Sequence, residues 1–106
     1  MIKITDKVYT IEELKAIVKP ILEKYPKVKA LYVYREYAHG TANPNSLIFF
    51  RIVGDKLTLA DTIGSEMREE LDTKLQKEIV IYHDFELIPH RVEAIKREEV
   101  MVYERT

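Results

Sequence analysis

The sequence predicts an α/β fold of the α+β kind, a sandwich in which a small mixed β-sheet carries helices packed on one face. Three observations predict it. Two nearly continuous apolar, β-branched and aromatic runs, 28–34 and 46–53, have the composition of strands covered on both faces. The segment between them contains Gly40, Asn43 and Pro44, which is turn chemistry. Stretches with apolar residues at helical spacing flank this pair on both sides. The 106 residues are read as a single domain, 1–106, enough to bury a real core and too few for two.

Residues 1–9 alternate briefly through Ile2, Ile4 and Val8, and are read as a small edge strand or an extended lead-in. Thr10 with Glu13 three residues later is a capping-box signature. From there Ile11, Leu14, Ile17, Val18, Ile21, Leu22 and Tyr25 lay one apolar stripe along a helix that Pro26 ends. Pro20 falls near the polar side, where it removes one helical hydrogen bond and bends the helix round the core. Val28 to Tyr34 is the first strand; Ser46 to Val53 is the second, closed by Gly54-Asp55. Thr58 is placed to cap a helix with Ala60, Ile63, Met67, Leu71 and Leu75 on one stripe. Gly64 weakens that helix by about 1 kcal/mol relative to Ala. Ile79 to His83 reads as a third strand. A short helix from near Pro89 carries Val92 and Ile95, and Val100 to Tyr103 reads as the last strand.

Seventeen Lys and Arg against eighteen Asp and Glu leave a formal charge of −1. That balance gives no electrostatic argument for nucleic acid or an anionic membrane as partner. No apolar run is long enough to span a bilayer, and the first residues lack the basic-then-apolar pattern of a signal peptide. With no cysteine, disulfides, thiol catalysis and thiolate metal sites are excluded. The expectation is a cytoplasmic protein, and the abundance of Lys, Glu and Arg with few Gln and Asn points to a thermophilic source.

The stretch Val33-Tyr34-Arg35-Glu36-Tyr37-Ala38-His39-Gly40, running through Asn43-Pro44-Asn45-Ser46 into Leu47-Ile48-Phe49-Phe50, resembles the signature of the minimal nucleotidyltransferases of the DNA polymerase β superfamily. In that family the first strand ends in Gly-Ser, a Tyr-Ala-Arg-Gly-like turn follows, and the next strand opens Ser-Asp-x-Asp. The Thr10-to-Lys15 helix start and the closing Val102-Tyr103-Glu104-Arg105 fit the same layout, so the resemblance covers most of the chain. It implies a nucleotidyltransferase-like fold. It also implies a site in which Gly-Ser holds the triphosphate and three aspartates hold two Mg²⁺ ions that neutralise the charge of phosphoryl transfer. Carboxylates at i and i+2 of a strand share one face, so one strand can serve both metals.

Carried over position by position, Gly-Ser becomes Arg35 and Glu36, the paired aspartates become Leu47 and Phe49, and the third becomes Val80. The turn's basic position is His39, while Gly40, Pro44 and Ser46 are kept. No metal-ligand position holds a carboxylate. Glu36 and Asp84 are the acids nearest a substitute set, but Asp84 lies about 13 Å along an extended strand from Val80. His39, His83 and His90 form no pair at ligand spacing. The expectation is therefore no catalytic residues, no metal and no cofactor. Arg35 and Arg51 remain as candidate nucleotide-binding residues through bidentate phosphate contacts, against an ion pair with Glu36 or a neighbouring acid.

In the family's fold the aspartate face of the sheet is turned away from the helices. Leu47, Phe49, Val80 and Tyr82 should then form an apolar interface patch in the former cleft, covered either by the chain's own Tyr37 and His39 or by another subunit. The resemblance implies a protein partner, a HEPN-domain protein in an antitoxin-like pairing, or self-association. The functional expectation is a catalytically inactive nucleotidyltransferase-like protein working through protein contacts. Two alternatives stay open: an active enzyme that transfers AMP from ATP through a relocated site, and a metal-independent nucleotide-binding regulator.

Overall fold

Thr10 begins the first helix as its sequence requires. In the computed structural model, which describes residues 6–55, 66–83, 93 and 96–105, the Glu13 amide donates to Thr10 Oγ1 (3.1 Å) and the Thr10 amide donates to Glu13 Oε1 (3.0 Å). Helix α1 spans Ile11–Leu22 and buries Leu14, Val18, Ile21 and Leu22. It stops one turn short of the periodic stripe, because the Lys24 and Tyr25 amides bond back to the Ile21 and Leu22 carbonyls in tight turns. Tyr25 is held instead by its hydroxyl, which donates to Glu70 Oε1 (2.7 Å). That hydrogen bond, with burial second, pushes its pKa up to about 12.

Four strands follow in the chain: β1 (Val28–Tyr34), β2 (Ile48–Gly54), β3 (Ile79–His83) and β4 (Val100–Glu104). They form a mixed sheet in the order β3-β2-β1-β4. β1 runs antiparallel to both β2 and β4, while β2 and β3 are parallel. A parallel neighbour demands a crossover, and the described part of that connection is a helix, α3, spanning Glu66–Leu75. Strand alternation then sorts the side chains. Leu31, Val33, Ile48, Phe50, Ile52, Ile79, Ile81 and Val102 point at the helices and join Leu14, Val18, Leu22, Met67, Leu71 and Leu75 in one buried cluster. α1 packs on β4 and α3. The fold class expected from the sequence is the one observed.

The differences have local causes. β2 starts at Ile48, two residues later than expected. Ser46 is engaged in a turn, its Oγ accepting from the Asn43 amide and its own amide donating to the Asn43 carbonyl, each at 3.0 Å. The connection between β1 and β2 contains a single helical turn, α2 (Glu36–His39), ended by Gly40 in the left-handed region at φ +74°. Four residues are too few to show a period. Residues 6–10 form a lead-in without strand pairing, anchored by Tyr9, whose hydroxyl donates to the Leu75 carbonyl (2.7 Å). Ile2, Ile4, Thr58, Ala60, Ile63, Gly64, Asp84, Pro89, His90, Val92 and Ile95 lie outside the described residues, although Glu93 and residues 96–98 are helical. Among the described residues no helix is long and apolar enough to cross a membrane.

Arg105 ties the two ends of this arrangement together. Its Nε donates to the Val28 carbonyl (2.9 Å), and its NH2 donates to the carbonyls of Leu22 (2.8 Å) and Tyr25 (3.1 Å). These include carbonyls that the end of α1 leaves without an intrahelical partner, and a cation is well placed there. Arg105→Met keeps the aliphatic bulk and removes all three bonds. Its urea midpoint should fall by the equivalent of about 2–3 kcal/mol with an unchanged m-value.

Candidate functional site on the outer sheet face

The face of the sheet turned away from the helix-side core is built in rungs. Tyr34, Phe49 and Val80 are Cα partners across β1, β2 and β3, and Tyr32, Arg51 and Tyr82 form the next rung. Leu47 precedes β2 and lines a cavity of about 240 Å³ with Pro44, Asn45, Ser46, Lys77 and Glu78. The structure thus brings Phe49 and Val80 side by side, with Leu47 two residues before Phe49. Leu47, Phe49, Val80 and Tyr82 are all partly exposed. Among the described residues there is no group of three or more His, Asp or Glu able to hold a metal ion.

Arg35 closes one side of this face in an unusual backbone conformation, φ +61°, ψ −139°. That region suits glycine and costs a residue with a Cβ roughly 1–3 kcal/mol. The side chain is exposed, and its guanidinium lies 4.4 Å above the Phe49 ring centroid. Phe49 in turn packs tilted against Tyr34, with centroids 5.5 Å apart. Glu36, the neighbouring family position, begins α2, and Arg35 at its N-cap makes no side-chain capping hydrogen bond. Tyr34 is buried, and desolvation pushes its pKa up to about 12; the nearby Tyr82 adds to the rise and Arg35 opposes it.

Arg51 occupies the middle of the second rung and is buried together with its partner, Glu99 (side-chain exposures 4 % and 8 %). The pairing is bidentate: Nε donates to Oε2 (2.7 Å) and NH2 to Oε1 (2.6 Å), with the guanidinium 4.5 Å above the Tyr32 ring. The ion pair considered for this residue is present, and its acid is Glu99 and not Glu36. A buried pair of this kind contributes little net stability, but removing one partner leaves a charge stranded. Glu99 carries no sequence signal for this role, being one of many charged residues near the end of the chain.

Two further residues behave differently from expectation. Tyr37 does not fold over the outer face. It joins the helix-side core cluster, where its hydroxyl is buried and has no hydrogen-bond partner within 3.5 Å among the described residues; desolvation raises its pKa, and the nearby Tyr9 backbone opposes the rise. His39 is exposed and lies 3.2 Å from Glu98, so it does not cover Phe49 either. The physical reason is α2: one helical turn after Arg35 carries Tyr37 inward and His39 outward. Lys77 was not anticipated at all. It is fully buried, and its Nζ donates to the Pro44 carbonyl (2.8 Å), fastening the loop before β2 to the chain entering β3. A lysine just ahead of an apolar strand is the only signal the sequence offers for it.

Two outcomes test this geometry. If Arg35 is strained, Arg35→Gly should be more stable than Arg35→Ala by about 1 kcal/mol, since both lose the Phe49 stacking and only glycine relieves the backbone. Denaturant melts of the two variants decide it. The raised pKa of Tyr34 also has a defined consequence. Between about pH 10, where the unfolded tyrosine ionises, and about 12, the folded state retains a proton that the unfolded state has lost. Stability should therefore fall as pH rises through that window. In Tyr34→Phe the fall should be shallower, leaving the contributions of Tyr25, Tyr37 and Tyr9, whose pKa values are also raised.

No protein-family profile matches the chain, and no curated protein sequence is significantly similar to it. Solved structures are similar in fold. A toxin–antitoxin structure with AMP-PNP superposes with a TM-score of 0.72 at 15% identity, covering 87% of this chain and 74% of that one. A mutant of the toxin–antitoxin MntA–HpeT gives 0.71 at 15% identity with the same coverage. A Sulfolobus solfataricus protein assigned as a nucleotidyltransferase gives 0.56 at 17% identity, covering 90% of this chain and 81% of that one. At these identities the likeness establishes a nucleotidyltransferase-like fold.

Proposed function

We propose that this is a cytoplasmic, catalytically inactive nucleotidyltransferase-like protein that acts through protein contacts, as the antitoxin-like member of a pair with a helical HEPN-domain protein. One observation carries the reading. The positions that the resemblance assigns to metal-holding carboxylates, Leu47, Phe49 and Val80, fall on one face, with Phe49 and Val80 as direct neighbours across β2 and β3, and none of them can bind a cation. Phosphoryl transfer in such a site depends on metals to neutralise developing charge. Arg35 and Glu36 stand where backbone amides and a hydroxyl would cradle a triphosphate. The toxin–antitoxin neighbours in fold support the partner class by analogy.

A metal-independent nucleotide-binding regulator is the second reading, and the exposed Arg35 guanidinium is what favours it. Arg51 does not strengthen it, since it is buried against Glu99.

Incubation with labelled ATP and Mg²⁺ or Mn²⁺ should transfer no label to co-purified proteins. Calorimetry with ATP in the presence of chelator should give no heat at millimolar nucleotide. Phe49→Asp should lose the partner that co-purifies with the wild-type protein from its native host, while circular dichroism shows it folded. Label transfer that disappears in Glu36→Gln would establish the enzyme alternative instead.

A further inference from the structure

β2 runs down the middle of the outer face, and opposite charges stand on its two flanks. Arg35 enters from the end of β1 and lies over Phe49. Glu78 enters from the other flank, immediately before β3, where its carbonyl accepts from the Ile48 amide (3.1 Å). Its side chain is on the outer face by alternation, for Lys77 and Ile79 on either side of it are buried and Val80 shares its parity. Both Arg35 and Glu78 are exposed, and among the described residues neither side chain makes a hydrogen bond or an ion pair. Between them Leu47, Phe49 and Val80 are partly exposed and apolar.

We propose that this face binds a second copy of the same chain about a two-fold axis, with Arg35 of each protomer paired to Glu78 of the partner subunit. A two-fold axis parallel to β2, lying in the plane between the two outer faces, exchanges the β1 and β3 flanks of β2. Cation then meets carboxylate twice, and apolar centre meets apolar centre. Self-complementarity of this kind is what an isologous interface requires. A partner with a single sign of charge would satisfy one flank and oppose the other. The apolar centre supplies the affinity; the two rim pairs fix orientation and register. The backbone at Arg35 holds its guanidinium over Phe49 in the free chain, so little side-chain freedom is lost on pairing.

The proposal rests on the reading of this face as a protein-contact surface, and the second copy is its occupant in the purified chain, where no other partner competes for it. Sedimentation equilibrium of the purified full chain over roughly 1–300 µM is the test. The wild type should show a reversible monomer–dimer equilibrium. Arg35→Glu and Glu78→Arg should each weaken it at least tenfold, and the double exchange Arg35→Glu/Glu78→Arg should restore it. Circular dichroism melts establish that each variant is folded. If a reversed charge prevents folding, Arg35→Ala and Glu78→Gln serve in its place, each expected to weaken the dimer tenfold.

A monomeric wild type over the whole range overturns the proposal. So does a dimer indifferent to both single changes, or a double exchange that stays monomeric while folded. The two readings fail separately. A monomeric wild type whose Phe49→Asp variant loses a co-purifying partner removes the second copy and leaves the protein-contact function standing. Nucleotidyl transfer by the wild type removes that function whatever the mass in solution.

Discussion

The structure depends on where β2 sits. It is hydrogen-bonded on both edges, antiparallel to β1 and parallel to β3, so its two-residue period is fixed against slippage. Ile48, Phe50 and Ile52 are thereby committed to the helix-side core, and Phe49 and Arg51 to the other face. A slip of one residue would bury a guanidinium among leucines and expose three large apolar side chains. That cost holds the register, and the register in turn decides which residues of β1 and β3 can meet on the outer face.

Around this centre the chain is fastened by buried or half-buried cations, each bound to groups far away in sequence. Arg51 reaches Glu99, Lys77 reaches the Pro44 carbonyl, and Arg105 reaches three carbonyls at the end of α1 and the start of β1. Each bond connects a strand end or loop to another element that apolar packing alone would leave free to shift. Arginine suits two of the three sites because its planar fork serves two acceptors at once. The same chemistry takes Arg51 out of consideration as a ligand-binding group, since its donors face Glu99.

Arg35 stands apart from these fasteners. Its guanidinium is exposed over Phe49, and its backbone occupies a region natural to glycine. The bend at the end of β1 is thus built in the geometry a glycine would adopt, although the residue is an arginine. A strained position persists only where the surroundings over-determine it. Here β1 pairing on one side and the α2 turn on the other leave the chain no easier path. The outer face thus carries a cation above an apolar floor.

The sequence by itself determined α1, the four strands, the sorting of side chains into two faces, and the absence of carboxylates at positions 47, 49 and 80. These follow from periods of 3.6 and 2 residues, a capping box and residue identity, all of which are local properties. The expectation that Leu47, Phe49, Val80 and Tyr82 share one face, with Arg35 beside it, came from the resemblance to the nucleotidyltransferase layout, strand parity carrying it from residue to residue. Tertiary structure alone decided that Arg51 pairs with Glu99, that Tyr37 turns into the core, that Lys77 holds Pro44, and that Arg35 is strained. Ion pairs between residues 48 positions apart, and the direction taken by a four-residue helix, depend on how the chain closes on itself. No window of neighbouring residues encodes that closure.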